Sequence, residues 1–197
     1  MPRKREFDPD KALDAAVEVF WRQGYDATSV ADLVEAMGIN RFSLYNTFGD
    51  KHALFLLSLE RYAERVVTMM LGPVEALGAS LPQLREYFEH LVTMVGSKTA
   101  RKGCLMTNSA AELAAADAAT RAVVNAHLRR QTAAFRNALA NAVAAGEVCP
   151  NLDVERYAES LTISAQGLAV YIKTNPPAEV LTRFVDGLFA PLGVGQA

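Results

Sequence analysis

Apolar residues recur at offsets of three and four along nearly the whole chain, the spacing of one helix face, and no strand-like alternation competes with it. The first stripe is Leu13, Ala16, Val17, Phe20 and Trp21, with Asp8 as N-cap, Pro9 as first helical residue and Gly24 as stop. Val30, Leu33, Val34 and Met37 form the second. Ser29 heads it, with Asp32 three residues on in the manner of a capping box, and Gly38 ends it. After Ile39, Asn40 caps a short third helix from Arg41 to Thr47. Its Leu44 and the following Phe48 can pack inward while Arg41, Phe42, Ser43, Tyr45 and Asn46 stay available. Gly49 breaks this helix. Asp50 then caps a long fourth one, from Lys51 to about Met70, that stops at Leu71-Gly72-Pro73.

Further helices are predicted from Pro82 to Ser97, Gly103 to Ala115, Asp117 to Ala145, Asp153 to Lys173 and Pro177 to Phe189. The pattern therefore predicts an all-α chain. Residues 1–50 make an N-terminal three-helix helix-turn-helix domain, and the fourth helix links it to a C-terminal helical domain over 51–197. That helix is the covalent route between the two, so a signal is expected to pass along it.

Composition narrows the function classes. Hydrophobic residues make up 51% of the 197, yet no apolar run reaches the ~18 residues of a membrane span, and MPRKREFDPDK lacks a signal-peptide stretch. A cytoplasmic protein is expected. Cys104 and Cys149 are the two cysteines, too few for a disulfide framework and without partners at zinc-ligand spacing, so neither metal nor cofactor is expected. Net charge gives no hint of nucleic acid: through Arg65, nine Lys and Arg stand against eleven Asp and Glu. Local placement matters more to a phosphate, and cations sit at Arg3-Lys4-Arg5, at Arg41 and at Lys51, while Asp10, Asp14, Glu18 and Asp26 could face away.

The run GYDATSVADLVEAMGINRFSLYNTFGDKHALF resembles the DNA-binding domain of TetR-family transcriptional regulators. In it Gly-Tyr precedes the capped second helix, and Leu-Tyr, Phe and Asp-Lys follow the turn. The resemblance implies that the third helix enters the major groove, where Arg41 meets a guanine, Phe42 a thymine methyl, and Ser43 adapts. It places Tyr45, Thr28 and Lys51 on phosphates, with Ser29, Asn40 and Asn46 in the same interface and Arg3, Lys4 and Arg5 as an added arm. Thr28 or Ser29 also has a simpler use as a cap of the second helix, and Tyr45 as half-buried core. Phe42 stands where many relatives carry a small residue, and Asn46 where they carry an aromatic. The operator sequence is left open by both departures.

For the C-terminal domain the resemblance implies a cavity for a small-molecule effector, and apolar walls with a few polar anchors could come from Phe88, Leu91, Met94, Cys104, Met106, Asn108, Phe135, Gln166 and Tyr171. Ordinary core packing is the competing use of the same residues. Arg101-Lys102-Gly103-Cys104 sets a thiol beside two cations at a helix start, both of which favour the thiolate. Some family members open the same helix with Gly-Cys-Leu and respond to electrophiles or oxidants there; inert packing is the alternative. The last two helices carry Tyr157, Leu161, Leu168, Leu181, Phe184, Val185, Leu188 and Phe189, more apolar surface than one such domain readily buries. The family implication is a homodimer through a four-helix bundle, spacing two recognition helices one DNA turn apart, ~34–36 Å.

The chain so read is a repressor that binds a palindromic duplex operator and is released by an effector. Two other classes compete. An all-helical enzyme lacks support, since His52, His90 and His127 are far apart in sequence and neither Glu-x-x-His nor Gly-x-Ser-x-Gly occurs. A helix-turn-helix kept only as a protein interaction module is faintly favoured by the acidic N-terminal balance.

Overall fold

A computed structural model of the chain describes residues 7–192, and every regular element among them is helical. The first three helices, α1 (Pro9–Gln23), α2 (Val30–Met37) and α3 (Arg41–Phe48), begin at caps whose side chains satisfy the otherwise unpaired first-turn amides. Asp8 accepts from Asp10 N, Ser29 and Asp32 cap reciprocally, and Asn40 Oδ1 accepts from Ser43 N at 2.8 Å. Gly38 makes the turn between α2 and α3 in the left-handed region, at φ 64°, which a side chain would strain. The stripes meet where expected: Phe20, Leu33, Leu44 and Phe55 are all buried at the centre of the bundle.

The fourth helix departs from expectation. After α4 (Lys51–Tyr62) the chain runs through a π-helical turn, Ala63–Val67, into α5 (Thr68–Glu75) without stopping at Gly72-Pro73. Pro73 falls in the last turn, where its missing N–H removes one intrahelical hydrogen bond, and the helix ends two residues later at Glu75. The π turn lies in the wall of the internal cavity described below, through Val66 and Val67.

α6 (Leu81–Thr93) ends earlier than its apolar pattern, and residues expected to be loop form a short helix, α7 (Lys98–Lys102), capped by Ser97. α8 (Leu105–Glu112), the long α9 (Ala118–Ala144), α10 (Val154–Tyr171) and α11 (Ala178–Phe189) complete the bundle. An aromatic cluster of Phe88, Phe135 and Phe189 ties α6, α9 and α11 together, with the Phe88 ring centroid 5.8 Å from that of Phe135 and 5.8 Å from that of Phe189. No helix among the described residues is long and apolar enough to cross a membrane.

Candidate nucleic-acid interface and internal cavity

Burying Leu44 and Phe48 fixes the rotation of α3, and its other face is thereby turned to solvent. Phe42 is 75% exposed and Tyr45 49%; Arg41 and Asn46 are exposed beside them. An apolar ring left in water next to a guanidinium, a phenol and an amide is the mixture that reads base edges and contacts phosphate. Ser43 is half-buried, and its amide is held by Asn40, whose carbonyl oxygen is thereby occupied as a cap.

Thr28 corrects the expectation. Its side chain is 1% exposed and its hydroxyl donates to Gly24 O at 2.5 Å, so it closes the loop between α1 and α2 and presents no donor to a phosphate. Ser29 is exposed, but its hydroxyl donates to Asp32 Oδ2 at 2.7 Å. Lys51 is half-buried, with its ammonium 4.2 Å from the centroid of the Tyr25 ring. Arg3, Lys4 and Arg5 lie outside the described residues. Three of the acids that weighed against nucleic acid are engaged with cations outside α2 and α3: Asp14 with Arg61 at 2.8 Å and with Arg65, Asp10 with Arg61, and Glu18 with Lys102. The Arg61 guanidinium holds the Asp14 carboxyl below its ordinary range.

Between α4, α5, α6, α7, α9 and α10 lies a cavity of about 320 Å³. Of the nine residues named from the sequence, Leu91, Met94, Cys104 and Gln166 line it. Five residues do not. Phe88, Met106 and Phe135 are wholly buried in the core around it, Tyr171 points out from α10 at 48% exposure, and Asn108 ties down the loop before α8 by donating to Lys102 O and accepting from Lys173 Nζ. The walls the sequence did not mark include Tyr62, Tyr87, His127 and Gln131, and the small residues Ala100, Gly103, Ala165 and Ala169 leave the room. Cys104 is half-buried at the cap position of α8 and sits beside Tyr62. Its neighbouring cation Lys102 pairs with Glu18 and lies 3.7 Å from the Trp21 ring centroid.

His127 is buried in the cavity wall, and its Nδ1 has no hydrogen-bond partner among the described residues. Burial first, and the Arg130 guanidinium second, push its pKa down to about 4. The unfolded chain takes up that proton near 6.5, so the native state loses stability as pH falls from about 6.5 towards 4. The loss between pH 7 and pH 5 amounts to about 2 kcal/mol. Urea unfolding of His127→Gln at the two pH values is expected to lack this difference; a variant that loses as much as the parent contradicts it.

Trp21, on α1, belongs to the N-terminal bundle and yet lines the cavity, and its indole donates to Gly103 O at 2.8 Å. Glu112 at the end of α8 accepts from Tyr25 N and Asp26 N at 3.0 and 2.8 Å, and a Cβ at Gly24, where φ is 82°, would meet its carboxylate at 2.8 Å. His52 pairs with Asp117 at 3.0 Å. The N-terminal bundle is thus held to the C-terminal one by non-covalent contacts as well as by α4. Their sequence separations, 65 to 87 residues, left no periodic signal to find.

The outer faces of α10 and α11 also differ from expectation. Leu161, Leu168, Leu181, Val185 and Phe189 are buried within the subunit, against its own α6 and α9, so they do not offer a surface to a second copy. Tyr157 and Leu188 are half-buried and joined, the phenol donating to Leu188 O. What remains outside is Ile163, 72% exposed, with Val170 and Tyr171 on α10 and Phe184 on α11.

A capped helix-turn-helix with an outward-facing third helix, set on a helical domain with an internal cavity, defines a ligand-responsive DNA-binding regulator. Residues 12–57 match the model "Bacterial regulatory proteins, tetR family", and residues 80–188 match "Tetracyclin repressor-like, C-terminal domain". The chain is 32% identical over 182 residues to the HTH-type transcriptional repressor ComR of Escherichia coli (strain K12), a match covering 92% of this chain and 87% of ComR. It is 31% identical over 187 residues to the HTH-type transcriptional regulator YezE of Bacillus subtilis (strain 168), covering 94% and 96%. A solved structure of the TetR family transcriptional regulator CifR, a cysteine mutant complexed with 26bp double-strand operator DNA, matches with a TM-score of 0.81 and 30% identity over 95% of this chain and 98% of that one. The chain belongs to the TetR family. It is a DNA-binding transcriptional regulator, not an enzyme.

Proposed function

We propose that the chain acts in the cytoplasm as a homodimeric repressor, reading a palindromic operator with Arg41, Phe42, Tyr45 and Asn46 of the N-terminal domain. The single observation that carries this is the solvent-facing side of α3, where Phe42 has no structural use for its exposed ring. Ser43 adds adaptable contact, and Lys51 and the exposed Asn40 complete the proposed interface. The second copy packs against Ile163, Val170, Tyr171 and Phe184, an apolar surface that its own subunit leaves open.

The effector occupies the cavity of the C-terminal domain and alters the distance between recognition helices by two routes. One runs along α4, whose π turn lines the cavity. The other is the direct contact of Trp21 with Gly103 and of Glu112 with the loop before α2. Release requires unequal affinity of the effector for the two arrangements, with a coupling on the order of 1–3 kcal/mol. The reading is tested by titrating duplex affinity against salt, since a side chain that neutralises a phosphate releases a counterion.

A further inference from the structure

Resting on the assignment of the cavity to an effector, we propose that its ligand is an uncharged, largely apolar molecule carrying a hydrogen-bond acceptor such as a ketone oxygen, which the Tyr87 hydroxyl donates to. Two observations lead there, one from what the lining lacks and one from how its polar groups are connected.

Among the described residues, no Asp, Glu, Lys or Arg lines the cavity. A carboxylate or ammonium ligand would give up its hydration for apolar side chains and neutral dipoles, a loss that nothing in the wall offsets. Burial raises the Tyr62 and Tyr87 phenols above their ordinary range and keeps His127 unprotonated near pH 7, while His90 is open to solvent at the edge. At about 320 Å³ the space falls at the lower end of small-ligand sites.

The polar groups form a directed relay. Thr107 Oγ1 donates to Gln166 Oε1 at 2.6 Å, Gln166 Nε2 to Gln131 Oε1 at 2.7 Å, and Gln131 Nε2 to the Tyr87 hydroxyl oxygen at 2.7 Å. Each amide is held in one orientation by its neighbour. The relay ends on a phenol whose oxygen already accepts, and whose hydrogen has no acceptor among the described residues. Edge contacts with Phe88 and Phe135, at centroid distances of 5.4 and 5.2 Å, fix the Tyr87 ring. A fixed donor in an apolar space selects an acceptor; for an anion this one hydrogen bond does not offset the hydration lost, and a cation gains nothing from it.

Trp21 lines the same cavity and is the one tryptophan of the chain, so its emission reports occupancy without a label. The full chain is titrated with three near-isosteric probes: cyclohexyl methyl ketone, isopropenylcyclohexane, in which CH2 replaces the carbonyl oxygen, and cyclohexanecarboxylate. The ketone is expected to saturate the signal and to bind about tenfold more tightly than the alkene, as one hydrogen bond allows. It is also expected to bind at least about tenfold more tightly than the carboxylate. Tyr87→Phe is expected to bring the ketone-to-alkene ratio to near one while leaving alkene binding in place. The proposal is overturned by a ketone that does not bind, by a carboxylate that binds as well, or by a ratio that is near one in the parent or persists in Tyr87→Phe. Should the variant fail to fold by circular dichroism, the three parent affinities decide. Duplex binding is measured on the same preparation before any probe is added: duplex binding with no ketone affinity rejects the ligand class alone, whereas no duplex binding in the absence of probe rejects the regulatory reading beneath it.

Discussion

Arg41→Ala is expected to weaken binding to the specific duplex by about 2–6 kcal/mol, since a bidentate base contact contributes about 1–3 kcal/mol and a dimer makes it twice. The guanidinium stands at the first turn of α3, exposed and without a salt-bridge partner among the described residues. Its removal therefore disturbs no internal contact of the bundle. Thermal stability is expected to remain within a few tenths of a kcal/mol of the parent, the ordinary range for a surface change. Fluorescence anisotropy with a selected duplex and with a random one separates the effects: discrimination between the two should shrink, while affinity for the random duplex falls less. Equal losses on both duplexes would reassign Arg41 to phosphate.

Replacing Ile163 and Phe184 together by Glu is expected to convert the protein from twice 21.4 kDa to a single 21.4 kDa chain in solution. Both side chains are exposed on the outer faces of α10 and α11, so the charges cost the subunit little and fall within the apolar surface proposed to lie between copies. With one recognition helix in place of two, operator affinity should fall about a hundredfold to ten-thousandfold. Leu161→Glu makes the contrast. That residue is fully buried against α9, and the same charge there should unfold the domain. Sedimentation and circular dichroism distinguish a folded monomer from a lost fold. A double variant that stays dimeric would move the interface elsewhere.

The period of apolar residues and the caps at Asp8, Ser29, Asn40 and Asp50 carried the N-terminal bundle and the outward face of α3, because a helix with Leu44 and Phe48 inside has one other side to show. What a periodic stripe does not say is whose surface covers it. Leu161, Leu168, Leu181, Val185 and Phe189 are as apolar as any dimer contact, and their own α6 and α9 bury them; Ile163 and Val170, outside that stripe, are the residues left uncovered. Most of the cavity lining was illegible for a related reason. Space arises where Gly103, Ala100, Ala165 and Ala169 fail to fill the junction of several helices, and small residues leave no mark in a hydrophobic pattern. Thr28 was misread because a hydroxyl at a helix start has two uses, and Gly24 O, four residues back, took it. The contacts of Trp21 and Glu112 join residues more than 80 positions apart and follow only from the packed fold.

The central claim is that α3 of a dimer meets duplex DNA, and a titration of duplex affinity from about 50 to 200 mM salt tests it most directly. A protein making about 6–10 phosphate contacts should lose about a thousandfold or more in affinity over that range, with a linear fall of log affinity against log salt. A flat dependence, or no duplex binding at 50 mM, would contradict the account and return α3 to a protein-binding surface.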